Sequence, residues 1–374
     1  MADVIVIGGG VIGLSVAYEL AGQGIAVRVV DQGALGREAS WAGAGMLPPG
    51  NCRFSLSPEE RLRALSHSLW KQLTEELQST TGIDNGYRLS GSIELRLSGS
   101  SDQLDAEQTC WRDEGVEVAE TTIADLRQRE PALSPKAVAG YRLPELGQVR
   151  NPRHLKALLA GCAARGVQFS PGTPVMGFDR HAEKIVGIKT PLGTLKAGTF
   201  CLCTGAWSAG LAETKNLFLP IKPVRGQIVL LNAQPLPFRS IVQSGSRYLV
   251  PRPDGRVLIG STEEDVGFEK RNTAVEVSSL IQFATQLVPA LANATLEQCW
   301  SGLRPGSPEG LPYLGRVPDT ENLYLAAGHF RSGLQMSPGT AVILRDLILS
   351  REPRIPLDGL TCDRHRQQEI PTNV

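Results

Sequence analysis

After its first two residues the chain reads DVIVIGGGVIG, an apolar run over residues 3–7 that ends in Gly8-x-Gly10-x-x-Gly13. This combination leaves few folding options. The apolar run suits a parallel strand buried on both faces. The glycines allow a tight turn, close approach of a pyrophosphate, and close packing of a helix on the strand. VIGLSVAYELAGQG continues as a helix closed by Gly24, and AVRVV at 26–30 forms the next strand, with Asp31 at its carboxyl end. Anions are favoured at such a helix N-terminus, where backbone N–H groups are free. Asp31 stands where an acid binds ribose hydroxyls; otherwise it is a solvated strand-end carboxylate. The unit predicts an adenine dinucleotide without separating NAD from FAD.

The rest of the 374 residues gives room for two lobes. Lys plus Arg and Asp plus Glu each number 38, so no overall charge draws the chain to nucleic acid. Seven cysteines without regular spacing argue against a disulfide framework and fit a reducing, cytoplasmic setting. Cys201 and Cys203 in FCLCTGAW read as buried strand thiols rather than a metal site. The apolar N-terminus lacks a basic leader, and its glycines come too early for a membrane span.

Ser57-Pro58-Glu59-Glu60 predicts a helix start with a capping box, and Leu62, Leu65, Leu69, Leu73 and Leu77 predict its buried face. GSIELRL at 91–97 alternates like a half-buried strand, and Asn151-Pro152 opens a helix ended by Gly166. Residues 194–203 read as one strand running into the turn TGAW. QIVLL, SIVQS, RYLVP and RVLIG are short strands separated by turn residues. LYLAA at 323–327 is a late strand feeding GHFRSG and a final helix. The fold class is therefore α/β (α+β overall). A Rossmann-like nucleotide domain is interrupted by an inserted, β-rich antiparallel domain. The expected division assigns 1–84, 145–214 and 297–374 to the nucleotide domain, and 85–144 and 215–296 to the inserted one.

Two further segments are built for close approach to a large flat ligand: GREASWAGAGMLPP at 36–49 and GHFRSGLQMSPG at 328–339. Contacts so far apart in sequence suit an extended FAD better than NAD. In order, DVIVIGGGVIGLSVAYEL, ASWAGAGML, TGAWS, RYLVPRPDGRVLIGST, GLRPGSPEGLPYLG and AAGHFRSGLQMSPGTA resemble the D-amino-acid-oxidase-like flavoproteins. The likeness covers nearly the whole chain and is greatest to the bacterial glycine oxidase branch that serves thiamine thiazole synthesis.

The resemblance implies a flavoprotein with FAD. Gly8, Gly10, Val11, Ile12 and Gly13 would lie by the pyrophosphate, and Asp31 and Gln32 by the adenosine ribose. Ala39 and Ser40 would continue the contact, with Ala44, Gly45 and Met46 nearer the flavin. Val175 would meet the adenine, and Gly205 would belong to the same cofactor site. His329, Phe330, Arg331, Ser332, Gly333, Leu334 and Gln335 would wrap the flavin ring. Arg304 looks like the substrate-carboxylate arginine, Tyr248 like a second carboxylate contact, and Arg331 like a group between substrate and flavin.

The implied reaction is oxidative deamination of glycine or another small amino acid by hydride transfer to flavin N5, with no dedicated acid–base residue. Oxygen is the implied electron acceptor and hydrogen peroxide the product. No cysteine lies between 300 and 361, which implies noncovalent FAD, and a homo-oligomer is compatible with the family. Ser246 and Arg247 stand where the family has other residues, and Trp41 is expected to narrow the flavin-side cavity. The runner-up is a sarcosine or broader D-amino-acid oxidase or dehydrogenase. A non-catalytic dinucleotide module would not need Arg304, Tyr248 and Arg331 together. An NAD-dependent dehydrogenase would leave GHFRSG unexplained.

Overall fold

The computed structural model describes residues 2–98, 102–213 and 218–365. Its nucleotide-type sheet has six strands, ordered Tyr313–Arg316, Leu323–Ala327, Thr199–Leu202, Val4–Ile7, Val27–Val30 and Gln168–Ser170. Val4–Ile7 is paired in parallel on both sides, with Val4 opposite Thr199 and Val27. All four of its residues are buried, which is why the segment carries no polar alternation. Val4 and Val6 face a helical layer formed by Val11–Ala21, Pro58–Thr81, Asn151–Ala164 and Ser337–Ile348. Ile5 and Ile7 face the other way, onto Phe178, Ile185 and Ile188 of a small antiparallel sheet.

The helix ends show local chemistry at work. Ser57 Oγ accepts from Glu60 N at 3.2 Å, and Glu60 Oε2 accepts from Ser57 N at 3.1 Å. The capping box is thus complete, and Gly82, with φ of 70°, ends the helix in the left-handed region. Leu62, Leu65, Leu73 and Leu77 are buried on its inner face, while Leu69 is half-buried. The first helix ends at Ala21, three residues before the expected Gly24, because Gly22 already caps it. The run 194–203 is two strands rather than one. Gly193–Leu195 belongs to the small antiparallel sheet, and Thr199–Leu202 enters the central sheet. The break falls at Lys196-Ala197-Gly198, where Gly198 N turns to bond Asp3 O at 3.0 Å. Cys201 and Cys203 are buried, and burial pushes the Cys203 thiol up to about 12.

The second sheet has seven strands, ordered Thr295–Gly306, Lys222–Asn232, Arg256–Gly260, Arg247–Pro251, Ile241–Ser244, Ser92–Arg96 and Ala139–Leu143. All its pairs are antiparallel except Ile241–Ser244 with Ser92–Arg96. Ser92–Arg96 is not half-exposed as its alternation suggested: Ser92 through Leu95 are all buried, with Glu94 ion-paired to Arg96. The helix Ala274–Leu287 covers one face through Leu280, Ala284 and Leu287. The opposite face carries Ile228 and Tyr248 toward Ala44. Because Thr295–Gly306 is an edge strand here, sheet membership changes after residue 306 rather than at 296. The expected division at 214/215 lies outside the described residues. Among the described residues no helix is long and apolar enough to cross a membrane.

Candidate functional site

A cleft of about 1220 Å³ runs along the carboxyl end of the Val4–Ile7 strand and on beneath the seven-stranded sheet. That exceeds the roughly 300–1,000 Å³ of ordinary small-ligand pockets and suits a ligand as long as a dinucleotide. Every residue nominated from the sequence lines it except Gly13. Gly13 acts one layer back. A Cβ there would sit 1.9 Å from Gly8 O, so the absent side chain lets the helix start against the strand.

Asp31 closes the glycine loop: Oδ2 accepts from Gly9 N at 2.7 Å and Oδ1 from Gly33 N at 2.8 Å. Each oxygen keeps a second lone pair for a ribose hydroxyl. Gly10 caps the Val11–Ala21 helix without a side chain, and Val11 N donates to Ser40 Oγ at 2.9 Å. Asn151, which the sequence reading missed as a site residue, donates to Ser40 O at 2.7 Å. Gly45 requires φ of 76°, and a Cβ there would meet Val149 O at 1.9 Å. The buried Arg252, also missed, donates to Ala44 O at 2.7 Å and to Gln148 Oε1 at 2.7 Å. Burial, together with the nearby Arg88 and Arg150, pushes its guanidinium down to about 9. Its flanking PRPDG was the only sequence signal available.

Trp41 does not narrow the cleft. Its ring packs edge-on against Trp300, with centroids 5.4 Å apart, and Trp41 is not among the lining residues. Trp300 Nε1 donates to Ala42 O at 3.0 Å, so the aromatic pair anchors the small-residue segment from behind. At the opposite wall Trp70 Nε1 donates to Gln335 O at 2.9 Å, and Gln335 Nε2 donates to Arg63 O at 3.0 Å. Two buried amide oxygens in the lining, Asn151 Oδ1 and Gln335 Oε1, have no hydrogen-bond partner among the described residues.

At the far end, Arg304 on Thr295–Gly306 lies across Gly226 of the neighbouring strand. A Cβ at Gly226 would come within 2.3 Å of its Nη atoms. Nη1 donates to Thr262 O at 3.1 Å and Nη2 to Ser261 Oγ at 2.6 Å. Among the described residues, no carboxylate forms a salt bridge with Arg304. Burial lowers its pKa, the nearby Tyr248 opposes this, and Arg331 adds to it. The Tyr248 ring lies over Gly260, where a Cβ would meet its hydroxyl at 2.6 Å. Arg331 is held differently: it is ion-paired to Glu263, another lining residue that the sequence reading missed. Arg247 bonds Ser279 Oγ at 2.9 Å and lies over Phe283.

His329 is buried, with Nε2 3.0 Å from Thr340 Oγ1, and burial pushes it down to about 3. His154, buried against Trp70, is also pushed down to about 3 by burial. Both are neutral in the folded protein, whereas unfolded histidine titrates near 6.5. The unfolded chain therefore binds more protons below about pH 6.5, and stability falls as pH drops from there toward 3. Between pH 7 and 5 each histidine is expected to withdraw about 2 kcal/mol. Urea titrations at the two pH values check this: the loss should be smaller for His154→Gln than for the unsubstituted protein.

Residues 3–347 match the family described as DAO, FAD dependent oxidoreductase. The chain belongs to that family. It is 37% identical to a glycine oxidase of Pseudomonas putida, covering 94% of this chain and 96% of the relative. A Bifunctional protein ThiO/ThiG of a Nostoc species is 33% identical over 98% of this chain and 55% of its own length. The crystal structure of glycine oxidase from Geobacillus kaustophilus superposes with a TM-score of 0.93 at 34% identity, covering 97% of this chain and 99% of that one. The family's cofactor, FAD, fits the cleft: the glycine loop, the open positive-φ Gly205 and the two unpartnered amide oxygens all line one continuous space.

Proposed function

We propose that this enzyme oxidatively deaminates glycine and similarly small amino acids. The observation that carries the reading is Arg304, a part-buried guanidinium whose hydrogen bonds among the described residues go to neutral oxygens at the end of the dinucleotide cleft. A planar fork held this way matches one carboxylate in two parallel bonds and fixes its orientation as well as its charge. The Tyr248 hydroxyl would add a third bond. Asp31 and Gln32 would hold the ribose, the 8–13 loop and Ser40 the pyrophosphate, and Val175 the adenine. Ala44–Met46 and 329–335 would hold the flavin. Bound FAD would supply the redox chemistry, the two-electron oxidation of the amino acid with oxygen as final acceptor and hydrogen peroxide as its product.

The chain's own part is placement. Arg304 and Tyr248 hold the amino acid so that its α-carbon faces the flavin side of the cleft, and buried walls limit water. The imine leaves to hydrolyse to glyoxylate and ammonia, or passes to a thiazole-forming consumer; the likeness to the ThiO/ThiG protein supports the latter. Noncovalent FAD and a cytoplasmic setting belong to the same reading, supported by seven free cysteines. So does a division into a nucleotide-binding and a substrate-binding domain.

The test is the visible spectrum of the purified protein without oxygen, before and after glycine. Flavin bands that bleach with glycine are expected. Bands that bleach only with sarcosine or D-alanine would move the substrate assignment. A colourless protein that fails to take up FAD would overturn the reading altogether.

A further inference from the structure

We propose that Glu263 sets the charge selectivity of the substrate end, restricting the enzyme to amino acids with a single carboxylate. This rests on the function proposed above and deepens it. Three consecutive residues, Ser261, Thr262 and Glu263, grip both guanidiniums that line this end of the cleft. They do so in different ways. Ser261 and Thr262 offer Arg304 neutral oxygens, which orient it and leave its charge intact. Glu263 offers Arg331 a carboxylate, which cancels its charge.

The electrostatics of the neighbouring groups agree. Burial is the largest influence on Arg304; Arg331 lowers its pKa further and Glu263 raises it. Arg304, Arg331 and Glu263 therefore act on one another at close range, with a net charge of one positive. That sum matches one substrate carboxylate. A second carboxylate would have to displace Glu263 from Arg331 or lie beside Glu263 as a like charge, and either weakens its binding.

Arg247 and Glu276 also line the cleft, with opposite charges that leave the sum unchanged, and the lining carboxylates of Glu107 and Glu264 are already paired. Glu264 is engaged by Arg225, Gln227 and Thr262. Glu107 is paired with Arg96, and Arg247 is bonded to Ser279 on the face toward the Ala274–Leu287 helix. Glu263 and Arg331 keep side-chain exposures of 43% and 51%. The pair thus stands at the mouth, where an incoming side chain or N-substituent would meet it.

The experiment compares acetate and malonate, which differ by one carboxylate, as ligands of the FAD-loaded enzyme. Dissociation constants are read from the shift in flavin absorbance. The unsubstituted enzyme is expected to bind malonate no tighter than acetate. In Glu263→Gln the malonate-to-acetate affinity ratio should rise at least tenfold, because Arg331 becomes free to take the second carboxylate. The rise should vanish in Glu263→Gln/Arg331→Gln, and Glu263→Asp should restore the original ratio. A parallel change in the kcat/KM ratio of D-aspartate to glycine is expected. An unchanged ratio in Glu263→Gln, or an unsubstituted enzyme that already prefers malonate tenfold, would overturn the proposal. If Glu263→Gln failed to retain flavin, Glu263→Ser would carry the same comparison. Failure of glycine to bleach the flavin would count against the parent reading instead, since the acetate and malonate constants do not depend on which amine is oxidised.

Discussion

Arg304→Ala is expected to lower kcat/KM for glycine by about 10²–10³-fold while the protein keeps its FAD. Truncating one member of a buried, hydrogen-bonded charge pair costs about 2–5 kcal/mol, and each 1.4 kcal/mol is tenfold. Most of the loss should appear in KM, because Arg304 holds the carboxylate before and during the reaction alike. Stability should not suffer in step. Arg304 is a part-buried cation held by a hydroxyl and a carbonyl, so removing it relieves desolvation as well as breaking two bonds. Steady-state rates with a flavin absorbance ratio on the same sample check both halves. Equal turnover by the variant at low glycine would remove Arg304 from the site. Arg304→Lys should recover little, since a point charge lacks the fork.

Gly13→Ala should do the opposite, losing cofactor and stability together. The added Cβ would lie 1.9 Å from Gly8 O and 3.2 Å from Val6 Cγ1, and the first of these is backbone that cannot rotate aside. The helix must back away from the strand, an overpacking cost of about 3 kcal/mol. Its N-terminal amides would move off the phosphate position at the same time. The expected product is colourless or weakly yellow protein with a lowered melting temperature. Gly177→Ala is the matched control, because a Cβ there meets nothing within 4 Å. A Gly13→Ala protein that melts and binds FAD like the control would refute the packing role.

These two positions were legible from sequence for different reasons. Gly13 belongs to a local element in which strand, turn and helix follow one another, so spacing alone announces it. Arg304 became visible only through its GLRPGS surroundings and the likeness they carry. What stayed hidden are groups whose partners lie far along the chain. Arg252 grips Ala44 across 208 residues, and Gln335 reaches Arg63 across 272. Nothing in the local pattern of either segment names the other. Trp41 is the instructive failure. Read within its own run it is expected to narrow the flavin-side cavity, yet Trp300 offers it an aromatic surface behind the segment. Glu263 was overlooked because a charge following a strand reads as a solvated turn until Arg331 is placed beside it.

The order of the six-stranded sheet has a consequence for how the molecule is made. Val4–Ile7, synthesised long before Leu323–Ala327, is separated from it by one intervening strand, and helix Val11–Ala21 packs against helix Ser337–Ile348. During synthesis this strand must therefore wait, part of its apolar surface uncovered, for partners made much later along the chain. Pairings of such long sequence separation close slowly and leave sticky intermediates. Uptake of the yellow cofactor should accordingly be a late event in the life of each chain. A growing polypeptide halted before residue 323 would carry the glycine fingerprint on a sheet still lacking Leu323–Ala327, the pairing of Tyr313–Arg316 to it, and the Ser337–Ile348 helix, making it a substrate for chaperones rather than a half-built enzyme.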